Sequence, residues 1–270
     1  MGEIIPFPEE AKAKKMVALK GLPDDMAIFL CTGYTDLRQS ISGLSYLIDS
    51  RYHLNPQSRS ICMFCGRRTD RIKFLMYDGN GYIIITKQFD FHHLHWPRCG
   101  GKDKGELWWL TQEQFEYVMQ GGRIREADLD KEEQLDEPKI NTRSHTLFSI
   151  MLKNRAIPPH INVRTGYTDL RKSIAGLCNI VSEYGLDPEN SKMMYVFCGH
   201  RADRIKMLFY DGDGFMLITE HLDYGRFIWP RNGDEMWDIT SYQLKLMLEG
   251  ERIQRKDVPR IVEKRNQRRT

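Results

Sequence analysis

The sequence predicts an α+β protein made of two tandem, pseudo-equivalent domains, each a small, largely antiparallel sheet with helices packed on it. Three observations predict this. The chain repeats itself: residues 32–44 read TGYTDLRQSISGL and residues 165–177 read TGYTDLRKSIAGL, identical at 11 of 13 positions, while 64–81 and 197–214 agree at 13 of 18. The offset is 133 as far as WPR at 96–98 and 229–231, then 129, because the first copy carries four extra residues around CGGKDKGE. A unit this long is a duplicated domain and not a solenoid repeat of roughly 20–50 residues. Within each copy, short apolar segments are separated by glycine-containing turns, as in hairpins. Helical periodicity flanks them, near the start and at the end of the copy. The order β-α-β-β-β-α that results belongs to the α+β class.

Each copy opens with a short strand, residues 27–30 and 161–163, whose direction against its neighbours the sequence leaves open. A helix follows. Thr35 and Thr168 are candidate N-caps, and Leu37, Ile41, Leu44 and Ile48, like Leu170, Ile174, Leu177 and Val181, recur at helical spacing. Gly43 and Gly176 interrupt these helices at a cost of about 1 kcal/mol relative to alanine, and their retention in both copies predicts close backbone packing there. Three β segments come next, at 61–65, 71–77 and 82–89, and at 194–198, 204–210 and 215–222. Asp78-Gly79-Asn80-Gly81 and Asp211-Gly212-Asp213-Gly214 join the last two, since glycine accepts positive φ in a tight turn. Each copy closes with a helix that starts at a T-x-x-Q capping box, Thr111 with Gln114 and Thr240 with Gln243. Gly121 and Gly250 are its expected stops.

The domains are placed at 10–125 and 145–258. Between them, 126–144 forms an acidic linker whose first part, EADLDKEEQLDEPK, holds seven acids against two lysines. A basic tail, 259–270, ends the chain; residues 251–270 hold eight Lys or Arg against three acids. The tail RIVEKRNQRRT is expected to be disordered, either adding sequence-independent DNA affinity or only solubility. The opposed charges leave a net of +3, too small to identify a nucleic-acid partner by itself. Composition is globular, with 41% hydrophobic and 29% charged residues. There is no apolar run of about 18 residues to span a membrane, and the opening MGEIIPFPEEAKAKK lacks a signal core, so a cytoplasmic protein is expected. Of Cys31, Cys62, Cys65, Cys99, Cys178 and Cys198, only Cys65 and Cys198 correspond between copies. A disulfide framework would have duplicated with the domain, so reduced thiols are expected.

The segments TGYTDLRKSIAGL, VFCGHRADRIKMLFYDGDGF, LDYGRFIWPR and SYQLKLMLEG together resemble the TnpB (Orf-two) accessory protein of the insertion-sequence sixty-six transposon family. The resemblance covers most of each half, so the chain resembles two such proteins fused in tandem. It implies a role beside a separate transposase of the same mobile element and no settled biochemical activity. The first copy departs from the pattern at Phe91-His92-His93, where the second has Tyr224-Gly225-Arg226, and again in its insertion after Arg98.

Chemistry-bearing residues concentrate in a basic turn between two strands: Arg67, Arg68, Arg71 and Lys73, matched by His200, Arg201, Arg204 and Lys206. Alternate residues of a strand share a face, so Arg71 and Lys73 project together, as do Arg204 and Lys206. Paired cations on a hairpin suit phosphate contacts; the bland reading is an edge solvated by ion pairs. Arg38 and Arg171 are read into the first helical turn, where a cation opposes the helix dipole, unless Asp36 and Asp169 simply pair with them. Trp96 and Trp229, in Trp-Pro-Arg with Arg98 and Arg231, are candidate stacking platforms for a base or else close a small core. Arg226 completes the candidate DNA contacts. Of the repeated acids Asp36, Asp70, Asp78 and Asp90, matched by Asp169, Asp203, Asp211 and Asp223, the hairpin turn explains Asp78 and Asp211, helix starts explain Asp36 and Asp169, and no glutamate is shared as a partner, which argues against a two-metal nuclease. Cys62 and Cys65 fall on opposite faces of a strand, a poor zinc knuckle. No catalytic residue, metal site or cofactor is expected. The reading is a non-catalytic accessory protein, a pseudo-dimer in one chain, that binds DNA (element ends), its transposase or both; a pure protein–protein adaptor and a Mg-dependent nuclease are the alternatives.

Overall fold

The computed structural model describes residues 26–58, 60–91, 93–98, 106–119, 121–126, 129, 158–231 and 233–264. Cys99, nearly all of the acidic linker, the opening segments of both expected domains and the end of the basic tail lie outside the described residues.

The first half contains β1 (Ala27–Cys31), α1 (Ile41–Tyr52), β2 (Ser60–Cys65), β3 (Arg71–Tyr77), β4 (Gly81–Phe89), β5 (Leu107–Leu110) and α2 (Gln112–Met119). The second repeats that order as β6 (His160–Arg164), α3 (Ile174–Glu183), β7 (Met193–Cys198), β8 (Arg204–Tyr210), β9 (Gly214–Leu222), β10 (Glu235–Ile239) and α4 (Ser241–Leu248), then adds β11 (Arg260–Glu263). The class is α+β with a mostly antiparallel sheet. Both capping boxes form: Gln114 N and Gln243 N donate to the threonine hydroxyls, and the glutamine side chains accept from Thr111 N and Thr240 N.

Four expectations are corrected. Each copy holds one strand more than expected, β5 or β10; their sequences, LWWL and EMWDI, show no strict polar–apolar alternation to be read. Both helices over the repeated motif begin later than expected, behind Ser40 and Ser173, while Thr35 N and Thr168 N instead donate to Cys65 O and Cys198 O. The start of the basic tail is a strand, β11, paired antiparallel with β10. Most consequentially, the copies do not form separate sheets: β4 and β9 pair, giving one 11-stranded sheet in the order β11-β10-β6-β7-β8-β9-β4-β3-β2-β1-β5. The open question of the first strands resolves to parallel pairing, β1 with β2 and β6 with β7, each bridged by its helix.

The sheet is the middle of three layers. On one face α1 covers Phe64, Leu75 and Cys62, and α3 covers Phe197, Leu208 and Tyr195, as two separate clusters. On the other a single core runs across both halves, taking in Phe115, Val118 and Met119 of α2 and Leu244 and Met247 of α4. Cys62 and Cys65 fall in clusters on opposite faces, and the cysteines among the described residues are free thiols.

The junction has a two-fold register. Gly81 faces Leu222, Phe89 faces Gly214, and at the centre Ile85 faces Ile218, its own counterpart at the offset of 133. A Cβ on Gly81 would fall on the carbonyl oxygen of His221, and one on Gly214 on that of Gln88, so both glycines are required by the close approach. The charge symmetry of the buried junction reverses at one pair of positions. Lys87, wholly buried, donates from Nζ to Asp211 Oδ1 across the junction. Its counterpart is Glu220, facing Asp78, the counterpart of Asp211; Glu220 Oε2 and Asp78 Oδ2 are buried without a hydrogen-bond partner. Burial, then the charge of Asp78, pushes the Glu220 carboxyl up to about 8.

Candidate nucleic-acid interface

Because β4 and β9 pair, β3 and β8 come to flank them, and the two Asp-Arg-Ile-Lys strings share one sheet face. Arg71, Lys73 and Leu75 alternate with the core residues Ile72, Phe74 and Met76, which puts the basic pair on the side that carries α1; Arg204 and Lys206 lie likewise on the side of α3. Between the two helices, a half-buried strip runs over Gln88 and Thr219 and is rimmed by these cations, of which Arg71 is exposed.

The cations differ in what holds them. Lys73 Nζ donates to Gln39 O at 3.0 Å and Lys206 Nζ to Lys172 O at 3.0 Å, tying each strand to the residue just before a helix N-cap. Gly43 and Gly176 lie against those same residues, where a Cβ would meet Gln39 Cβ or Lys172 Cβ at 3.2 Å; the neighbours are side chains four residues back and not another element's backbone. Burial lowers both lysines, and for Lys206 burial followed by the neighbouring charges of Lys73 and Arg204 brings it to about 8. Arg71 donates to Gln88 Oε1 at 2.7 Å. Arg204 sits opposite His221, whose imidazole is lowered by burial and then by that guanidinium.

Arg67, Arg68 and Arg201 are exposed on the tight β2–β3 and β7–β8 turns. Each turn contains a non-glycine residue in the left-handed region at equivalent positions, Thr69 at φ 56 and Ala202 at φ 58. Arg226 is exposed. The guanidinium of Arg98 lies 5.6 Å from the Tyr34 ring centroid. Arg231 donates to Gly166 O, Gly199 O and His200 O, a mainly tethering arrangement.

Two of the expected placements are corrected. Arg38 and Arg171 stand before the N-caps, outside the helices, and each forks onto a neighbouring carboxylate, Arg38 Nη2 to Asp36 Oδ2 at 2.7 Å and Arg171 Nη2 to Asp169 Oδ2 at 2.9 Å. These guanidiniums hold both aspartates at about 2. Trp96 and Trp229 are each only 6% exposed, with indole N–H groups on Cys31 O and Arg164 O, so they close the core and present no free ring face for stacking.

Sequence reasoning missed two features. An open cleft of about 720 Å³ lies beside Trp96 in the first half, walled by Arg98, Arg123 and Trp108. Its counterpart of about 520 Å³ is walled by Arg231, Trp237 and Arg252. The second feature is a pair of exposed aromatics, Phe91 at 81% and Tyr224 at 90%, one on each copy at the repeat offset. The signal was present as an aromatic kept at both positions, hidden because the flanking residues differ. Among the described residues, no three His, Cys, Asp or Glu side chains converge as a metal-holding group, and no helix is long and apolar enough to cross a membrane.

The chain belongs to the family described as IS66 Orf2 like protein, whose profile matches it twice, over 26–128 and 160–258. Two matches in one chain are consistent with two tandem copies, and the family supplies the class: an accessory protein of a transposable element. Among curated proteins it is similar to uncharacterized protein y4hO of Sinorhizobium fredii, 35% identical over 99 residues, which is 35% of this chain and 85% of that protein. It is also similar to uncharacterized protein y4jC of the same organism, 31% identical over 103 residues, 37% of this chain and 88% of the other. No solved structure matches the chain.

Proposed function

We propose that the protein is a non-catalytic accessory factor of transposition, acting in the cytoplasm as a dimer built into one chain, that binds DNA of its element. The observation that supports this most is the β4–β9 register, which brings the two Asp-Arg-Ile-Lys strands onto one face of one sheet about a two-fold axis. A two-fold protein surface with cations in equivalent places complements a duplex, whose backbones are themselves related by two-fold axes. Arg71, Arg204, Lys73 and Lys206 would meet phosphates from the strip, Arg71 and the lysines by exchanging their neutral partners, with Arg67, Arg68, Arg201 and Arg226 extending the contact from the turns; Arg38 and Arg171, neutralised by aspartates, and Arg98 and Arg231, held away from the strip, contribute less.

Fluorescence anisotropy of the full-length protein on labelled duplex across a salt series tests this. Contact with about four to six phosphates gives a log–log slope near −4 to −5. A second reading, an adaptor that grips the transposase, draws on the clefts beside Trp96 and Trp229. It predicts co-elution with purified transposase and no DNA binding even at low salt.

A further inference from the structure

The exposed aromatics are not loose surface residues. Phe91 follows β4 in a loop fixed at both ends: Phe89 N donates to Asp70 O, Asp90 N to Asp213 O of the other half, and Leu94 N to Thr69 O. Tyr224 is fixed by the same three bonds at the repeat offset, Leu222 N to Asp203 O, Asp223 N to Asn80 O and Phe227 N to Ala202 O. The acceptors Thr69 and Ala202 are the two non-glycine residues held at positive φ within the basic turns. Backbone strain of this kind persists where the surroundings enforce it, and it gathers at functional sites. Here it locks each aromatic loop to an arginine-bearing turn, Arg67-Arg68 beside Phe91 and His200-Arg201 beside Tyr224. The acids in the loops, Asp90 and Asp223, are engaged across the junction by the hydroxyls of Tyr210 and Tyr77. What sets these two aromatics apart from the other exposed ones is their exposure of 81% and 90% at equivalent positions on bonded loops.

The two tips lie at opposite ends of the central strand pair. From the Gly81–Leu222 pair to the Phe89–Gly214 pair is a nine-pair ladder, about 27 Å long at about 3.4 Å per residue. Each loop is bonded to the turns at its own end of this ladder, so the tips stand on the order of 30 Å apart, close to one turn of B-DNA at about 34 Å.

Building on the DNA-binding reading above, we propose that Phe91 with Arg67-Arg68 and Tyr224 with Arg201 form two equivalent recognition tips. They engage one duplex at two inverted half-sites about a helical turn apart, the arginines on phosphates and the aromatic rings wedged at base steps. Apolar wedges of this kind unstack the step they enter.

The test uses full-length protein and a duplex of about 30 base pairs carrying 2-aminopurine, whose fluorescence rises on unstacking. Wild type is compared with Phe91→Ala/Tyr224→Ala and with Tyr46→Ala/Tyr242→Ala, which removes two exposed aromatics elsewhere. The tip variant is expected to lose about tenfold or more in affinity and the fluorescence rise, with circular dichroism and Tm unchanged, while the control binds as wild type. A hairpin duplex of about 6 base pairs, roughly 20 Å long and so too short for both tips, should bind far more weakly. Salt-sensitive binding that survives the tip substitutions with no fluorescence change would overturn the tips and leave the DNA reading standing. No wild-type binding at low salt would overturn both.

Discussion

At Ala202, and again at Thr69, an L-residue occupies a backbone conformation that costs about 1 kcal/mol or more outside glycine. Ala202→Gly is therefore expected to stabilise the protein by up to about 1 kcal/mol in urea unfolding, an uncommon direction for a buried alanine. A loss of stability instead would mean that the methyl group's packing outweighs the strain. Arg38→Ala/Arg171→Ala should leave the Tm unchanged, because both guanidiniums are more than 90% exposed, at 91% and 92%, and such pairs contribute little. Tryptophan shows where residue-level reading runs out: Trp-Pro-Arg is compatible with a stacking platform or a core plug, and only the indole's backbone partner, 65 residues away in sequence, decides for the plug.

Among the elements, the strands and turns were the most legible. The Asp-Gly turns, the capping boxes and the alternation along β3 and β8 are local physics, written within a few residues. The first helix was misplaced by a turn because Leu37 and Leu170 keep the apolar spacing while lying in the approach loop, packed on Gly66 and Gly199. The β4–β9 pairing was not legible, since it depends on a partner strand some 130 residues on, whose edge could equally have met solvent. Gly81 and Gly214 carried the trace of it, disguised as ordinary turn glycines. Gly81→Ala or Gly214→Ala should each cost more than ~2 kcal/mol by forcing the central strands apart; wild-type-like unfolding in urea would contradict the close approach.

The same junction predicts a pH dependence. Glu220 titrates near 8 in the folded chain against 4.5 as its ordinary value. Its contribution to stability is thus fully present below about 4.5 and is lost as pH rises toward and through 8. The loss is on the order of a few kcal/mol. Thermal melts between pH 5 and 9 should show a decline in wild type that Glu220→Gln removes. Glu220→Lys goes further: it recreates opposite Asp78 the ion pair that Lys87 makes with Asp211, and should raise the Tm at pH 8 by about 5 °C or more. A lower Tm for Glu220→Lys would show that the two sides of the junction are not equivalent in shape.

For the whole molecule, the duplication matters more than either copy. Single-copy length is what the similar Sinorhizobium proteins have, each matched over 85% or 88% of its length by about a third of this chain. Here the nine-pair ladder joins two such units into one sheet with a two-fold axis between Ile85 and Ile218. One unit alone would leave β4 as a long unpaired edge, the kind of surface that invites pairing. The duplication was plain in the sequence; that it makes one sheet, and therefore one basic strip with aromatic tips at its two ends, was not.

The most direct test of that account is equilibrium binding of wild type and Arg71→Ala/Arg204→Ala to element-end duplex and to a scrambled duplex, at one low salt concentration. The account predicts that wild type binds both, prefers the element end, and loses at least about tenfold in affinity when both arginines are removed. Equal binding by wild type and the double variant, with both still folded, would contradict the central strip as the DNA-binding face.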